Sequence, residues 1–485
     1  MQITFPGILL LPIGLLLFFM PTRYLYYSTV FFIPFSATSL INSQSGAPLM
    51  AAQYFGSLLI YRTLLEIIFV KRMKLMMMFN KNKSFYLMFL FLAVVMSTMI
   101  MPAIIDGHVL VSNMRLNDLE QVPLHLTMKN FKNPLPVIFG ILLAYIVATR
   151  NTTYKQILGT IRICALSVTF VSFWGLLELF CFLSGIHFPY FIFNSSIHDS
   201  AQALGTTIEG GALLRITSVT LEPSLFAQIL LGILPILIIS KISKVAVFTR
   251  KIDVMVITII VSALLVSTST TSYLGLLFFI TTFLVMGRLT GLFKIRKFIL
   301  VGISLITVCY LIFNFVPGVN EYISEIILEK PNTGSTLERL YSIQTAWGYF
   351  LQYPLLGLGW ATVTSHDLFV CLLANSGIIG LISFLTLILY VLSKSVRSIH
   401  LSYSQSRYNH RALIVFAFGL TTSFIVHLTV SIFTEFTYYL AQFYFLLGMV
   451  IGATIGLTKI LTMPVAGDVI NNNQEIKQSN VIKSI

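Results

Sequence analysis

The chain has 485 residues and a formal net charge of +14, yet only 10% of its residues are charged and 56% are apolar, with 40 phenylalanines among them. A soluble domain of ordinary composition has about a quarter of its residues charged, so a water-soluble globular protein is excluded. The basic excess is divided among short clusters between apolar runs, which argues against a nucleic-acid surface.

Apolar runs of about 18 or more residues recur along nearly the whole chain, as in membrane-spanning helices. A membrane β-barrel would show short alternating segments instead. The runs predict spans at roughly 5–20, 24–42, 50–70, 84–105, 134–149, 157–184, 225–240, 253–268, 272–287, 298–316, 368–392, 413–432 and 437–458. The expected fold is all-α: a polytopic helical membrane protein with about 12–13 transmembrane helices and long outer-face loops containing short helices. Lys and Arg collect around 71–83, 150–155, 241–251, 288–297 and 394–411, at alternate ends of the spans. The positive-inside rule places those loops in the cytoplasm. Acidic residues such as Asp106, Glu209, Glu222, Glu338 and Asp367 then fall mainly outside, within or beside three long loops at about 106–133, 186–223 and 317–366. Soluble mass on the outer side implies work on the outer face. Thirteen spans put the N-terminus outside, and merging the first two puts it inside. The polar tail from Gly467 to Ile485 is expected to be cytoplasmic and disordered.

Few polar residues interrupt the spans. Arg62 and Glu66 are one helical turn apart and are expected to neutralise each other. Glu178 and His427 lie toward the outer ends of their spans. Cys164, Cys181, Cys309 and Cys371 lack CxxC spacing and read as small packing residues. The run STSTTS at 267–272 is a tight outer turn that either lines a sugar site or caps its two helices. There is no DxD, HExxH or GxxxxGK[ST], so no metal site and no cofactor is expected. No internal repeat is visible, which counts against a transporter built from duplicated halves.

Three outer-face stretches carry candidate chemistry. In GALLRITSVTLEPSLFAQILLG, Arg215 stands in an apolar, β-branched run with few local partners and needs an anion. Glu222 precedes Pro223, which suits a first helical turn, so Glu222 is either a helix-capping acid or a base. In GSTLERLYSIQTAWGYFLQYP, a Ser335/Glu338 capping box and apolar residues at helical spacing (Leu337, Leu340, Tyr341, Trp347, Leu351) predict a helix over about 336–352 that lies on the membrane or on the spans. Arg339 would sit in its first turn, where a cation opposes the helix dipole. It either snorkels to headgroups or meets an anion. Next comes PLLGLGWATVTSHD, with Thr364 and Ser365 as caps for a span beginning near His366. A helix N-terminus disfavours imidazolium and keeps His366 able to accept a proton, while Asp367 favours the charged form. His366 is otherwise a polar boundary residue. Gly357 and Gly359 would let backbone approach a ligand.

The run Arg339…Trp347…Pro354-Leu355-Leu356-Gly357-Leu358-Gly359, then His366 and Gly377-Ile378-Ile379-Gly380-Leu381, resembles the signature region of bacterial O-antigen polymerases and ligases. Arg215-Ile-Thr-Ser…Glu222-Pro223-Ser224 is similar to the motif before a central span in polysaccharide polymerases of that group. The resemblance covers about 205–392. Many relatives follow the His with Asn; here it is Asp367. The Arg often found in the family's Ser-rich turn is absent.

The resemblance implies a Wzy-type polymerase of the cytoplasmic membrane. It would join undecaprenyl-pyrophosphate-linked oligosaccharide repeat units of an O-antigen, capsule or exopolysaccharide. Arg215 and Arg339, with Gly357 and Gly359, would bind substrate; His366 or Glu222 would act as base, with Asp367 orienting or charge-balancing His366. Membrane lipids and a chain-length regulator are the partners implied. A ligase sharing the donor is the nearest alternative. A flippase would want polar residues along a central path, and a non-catalytic scaffold would need none of these groups. The implied organisation is a transmembrane bundle at 1–204, a catalytic core at 205–392 including the loop 317–366, C-terminal helices at 393–466 and the tail at 467–485.

Overall fold

The computed structural model describes residues 1–43, 48–69, 82–112, 121–196, 214–267, 269–292, 334–405, 410–434 and 440–462. The predicted span at 298–316, Cys309, the Ser335/Glu338 capping pair's side chains and the C-terminal tail lie outside these residues. The fold is a polytopic helical bundle. Among the described residues, eight helices are long and apolar enough to cross a membrane.

The chain begins with β1 (Gln2–Ile3), then the hairpin of α1 (Phe5–Phe19) and α2 (Thr22–Phe32). The span expected at 24–42 is not a continuous helix. Pro34 cannot donate to a helical ladder, and the chain instead forms β2 (Ser39–Asn42). β2 pairs antiparallel with β1 and with β3 (Leu49–Met50) in a three-stranded sheet. Asn42 Nδ2 donates to Ser195 O at 2.7 Å, and Ala37 N to Val219 O at 3.0 Å. The N-terminus therefore lies on the same side of the bundle as Arg215.

Next come α3 (Ala51–Phe69), α4 (Lys83–Thr98) and α5 (Met101–Ile105). The hairpin of β4 (Leu110–Ser112) and β5 (Gln121–Pro123) follows. After it come α6 (Met128–Lys132), α7 (Leu135–Arg150) and the 30-residue α8 (Tyr154–Leu183). The span expected at 225–240 is two helices, α9 (Pro223–Leu231) and α10 (Leu234–Ile242). Pro235 leaves a gap in the backbone ladder, and Gln442 Nε2 donates to Ile229 O at 3.1 Å beside the break. The remaining helices are α11 (Arg250–Leu265), α12 (Thr270–Thr290), α13 (Gly334–Gln352), α14 (Leu368–Ser404), α15 (Arg411–Ser431) and α16 (Ala441–Leu461).

The core is mostly apolar, and α16 packs on α7 through Gly448, Gly452 and Gly456. A Cβ there would stand 2.5–2.7 Å from the carbonyl oxygens of Ala144, Asn151 and Thr152. Small residues at four-residue spacing let membrane helices touch backbone to backbone. The basic turns gather at the end of the bundle opposite Arg215. There Arg162 Nε donates to Val247 O at 2.6 Å, Lys241 Nζ to Arg250 O at 2.8 Å and Arg411 Nη2 to Ser243 O at 3.2 Å. Arg62 lies 3.7 Å from Glu66, as the sequence predicts, and Arg150 joins the same carboxylate at 3.6 Å.

α14 breaks at Gly377, whose φ of 63° and ψ of −167° are not helical. Leu368 N donates to Ile432 O just past α15, and Phe384 stacks against Phe443, which in turn meets Phe424. The segment 368–376 therefore begins beside the end of α15 on the Arg215 rim of the bundle, and farther along α14 Ser395 Oγ meets Thr421 Oγ1 at 2.7 Å.

Candidate active site

The site rises from three pieces of chain on that rim. The first is the run Arg215–Ser218. Thr217 N and Ser218 N both donate to Glu178 Oε2, at 3.0 and 2.6 Å, while Thr217 Oγ1 and Tyr190 OH donate to Glu178 Oε1 at 3.1 and 3.0 Å. Ser218 adopts φ 54°, the left-handed conformation that turns consecutive N–H groups toward one anion. Its hydroxyl is tied to Val171 O at 2.7 Å. Glu178 is fully buried. It is therefore the fastening that fixes the backbone beside Arg215, a role that its place near the outer end of an apolar span does not announce.

The second piece is the start of α9. Glu222 occupies the N-cap position, as expected, but its side chain makes no capping bond. Its carboxylate accepts the Ser224 hydroxyl at 3.0 Å and faces Arg215 electrostatically.

The third piece is α13 with the turn that follows it. The helix starts at Gly334, so Arg339 sits in the second turn rather than the first. The predicted apolar stripe points outward: Leu340, Tyr341, Trp347 and Leu351 are exposed. The helix packs inward through Ser342, Ala346 and Tyr349 instead, whose smaller members let it close on α14. Ser342 Oγ donates to Arg339 O at 2.7 Å, pairs with His366 Nδ1 at 2.9 Å and accepts from His366 N at 3.3 Å.

These pieces converge. Arg215 has a depressed pKa, chiefly through burial, with Glu222 opposing the shift and Arg339 adding to it. The side chain is nonetheless exposed and open to a ligand. His366 is half-buried, and its pKa is pushed down to about 4 by burial first and by the Arg339 charge second. The ring is therefore neutral near pH 7 and can accept a proton. Among the described residues, neither Arg215 nor Arg339 forms a salt bridge. Two guanidiniums that repel each other, offset by one nearby carboxylate, leave net positive charge suited to an anion.

Three expectations are corrected. Asp367 does not orient His366: it is the N-cap of α14, its Oδ1 accepting Val370 N at 2.8 Å, because the orphan N–H groups of the helix start need an acceptor. The cap is thus Asp367 rather than Thr364 or Ser365, and Ser365 Oγ instead accepts Asp367 N at 3.3 Å. Gly357 and Gly359 serve close approach, but to the chain itself. A Cβ on Gly357 would stand 2.5 Å from Ala374 O, and one on Gly359 2.8 Å from Pro102 Cδ. Leu358 N and Gly359 N donate to Ala374 O and Asn375 O at 2.8 and 3.2 Å, carbonyls that the break at Gly377 leaves without helical partners. In the Ser-rich turn the Ser267 and Ser272 hydroxyls are buried and bonded to each other at 2.5 Å, which favours the capping reading over a sugar site.

Fold and site together define a polytopic helical membrane protein with two arginines and a neutral imidazole gathered on one rim. More specifically, residues 254–385 match the model of the O-antigen ligase family, whose members are glycosyl-transferring enzymes, consistent with the superfamily of O-antigen polymerases and ligases. The match includes Arg339 and His366; Arg215 and Glu222 lie before it. No curated protein matches the chain.

Proposed function

We propose that the protein is a polysaccharide polymerase of the cytoplasmic membrane that works on its outer face on oligosaccharides linked through pyrophosphate to a polyprenol. The observation that carries this reading is the pairing of Arg215 and Arg339 beside the neutral ring of His366. The acceptor hydroxyl of one lipid-linked unit attacks the anomeric carbon of the growing glycan. A new glycosidic C–O bond forms, the bond from that carbon to the phosphate oxygen breaks, and the hydroxyl proton passes to His366. The guanidiniums grip the departing pyrophosphate through paired N–H donors and neutralise its charge. Glu222, whose charge acts on Arg215, is the rival base.

This arrangement supplies charge neutralisation from side chains, so turnover is expected to continue in excess EDTA. A chain-length regulator would act beside the polymerase. The second reading is a ligase that hands the same donor glycan to a different acceptor, favoured by the description of the matching family. Purified protein in lipid vesicles with lipid-linked repeat units as sole substrate separates the two. A ladder of lengthening glycans supports the polymerase. Transfer that starts only when a second acceptor, such as a lipid A core, is added overturns it in favour of the ligase.

A further inference from the structure

The hydroxyl of Ser342 is fully buried and touches three groups, two of which allow it only one role each. Arg339 O, at 2.7 Å, can only accept, so it takes the single hydroxyl proton. The His366 main-chain N–H, at 3.3 Å, can only donate, so it takes one lone pair. What remains for His366 Nδ1, at 2.9 Å, is the second lone pair. An oxygen lone pair facing a ring nitrogen requires that nitrogen to carry hydrogen. We propose that Ser342 is the positioning residue that fixes His366 as the Nδ1–H tautomer and leaves Nε2 bare as the proton-accepting atom. This inference rests on the reading of His366 as the base.

The same three bonds exclude another role for the pair. A Ser–His contact of this length resembles an activated nucleophile, but in such a pair the hydroxyl gives its proton to the imidazole. Here the proton is committed to the Arg339 carbonyl, and no part of Ser342 is open to a substrate. The arrangement also joins the two limbs of the site. The peptide of Arg339 and the ring of His366 are bonded to one oxygen atom, so the guanidinium and the imidazole share a common mount.

Nitrogen NMR on the full-length protein in nanodiscs, labelled with ¹⁵N-histidine, tests this directly. The His366 ring is identified among the eight histidines by the signals lost in His366→Gln. Near pH 7 the wild-type ring should show a protonated Nδ1 and a bare Nε2. A protonated Nε2 overturns the proposal whether or not the protein transfers glycans, so the result stands apart from the proposed function. In Ser342→Ala the ring should become a mixture of tautomers. The turnover number should fall about tenfold while KM for the lipid-linked donor stays put, and Ser342→Thr, which keeps the hydroxyl, should recover most of it. Full turnover in Ser342→Ala, or an unchanged single tautomer there, also overturns it. A trapped glycosyl adduct, with an O-glycosidic bond from the anomeric carbon to Ser342 Oγ, would show the nucleophile reading to be right and this one wrong.

Discussion

The two ends of the bundle treat arginine differently. At the basic end, Arg62 and Arg150 share Glu66, and Arg162 and Arg411 donate to the carbonyls of Val247 and Ser243. At the opposite rim, Arg215 and Arg339 influence each other and form no salt bridge among the described residues. Cations at the basic end are thus consumed by the fold, stitching loops that the positive-inside rule requires anyway. Those at the rim are kept available, and the structure holds them with the backbone rather than with counter-charges. Glu178, the acid nearest the Arg215 run, spends its oxygens on N–H and O–H donors of the scaffold.

The largest expected effect falls on the proton acceptor. His366→Ala should lower turnover by about a hundredfold or more, read as the loss of glycan ladders in a polymerase-null strain with protein level checked by blot. The pH profile sharpens the same point. His366 has a pKa lowered to about 4, so the active neutral form predominates above that value. Rate should hold from pH 8 down to about 5 and fall as pH approaches 4, with no break near the ordinary histidine value of about 6.5. A break at the ordinary value would mean that His366 is not the group titrating in the rate.

Next come the rim arginines. Arg339→Lys and Arg215→Lys retain charge but lose the planar fork. Losing one or two charge-assisted bonds of roughly 1.5–3 kcal/mol each should slow turnover about tenfold to several hundredfold. Ladders of normal length from both variants at normal protein level would dissolve the contrast between the two ends. Glu178→Gln is expected to cost about tenfold, because the amide keeps one acceptor oxygen but brings an N–H₂ toward donors that need an acceptor. Since Arg215 itself is untouched, the KM for lipid-linked donor should carry most of that loss. The smallest effect belongs to the basic end: Arg411→Lys should change activity by less than about twofold, because its partner is a single exposed carbonyl.

The sequence made the membrane class and most spans legible, because a 3.6-residue period is not needed where a whole run is apolar. It also put forward Arg215, Glu222, Arg339 and His366 as candidates, since a charged side chain beside a span has few innocent uses. It misread what depends on partners distant in the chain. Pro34 and the stretch after it looked like part of a span because strand pairing with residues 2–3 and 49–50 cannot be seen locally. Gly357 looked like a ligand turn because its true neighbour, the carbonyl of Ala374, is exposed only by the break at Gly377. Ser342 and Glu178 went unassigned because one hydroxyl or one acid in an apolar helix gains meaning only from what lies opposite.

The strand at the very start of the chain has a practical side. Gln2 and Ile3 are held by β2 on the rim that carries the arginines, while the last turn of α16, with Lys459 at its end, comes down beside Thr152 in the basic turns. Met1 and Thr462 therefore lie at opposite ends of the bundle and are expected to report on opposite compartments. A dye on the first is open to a quencher added on the rim side alone and a dye on the second is not. In oriented vesicles that difference counts the fraction of molecules inserted the right way round, so that a rate can be divided by the enzyme actually facing its substrate.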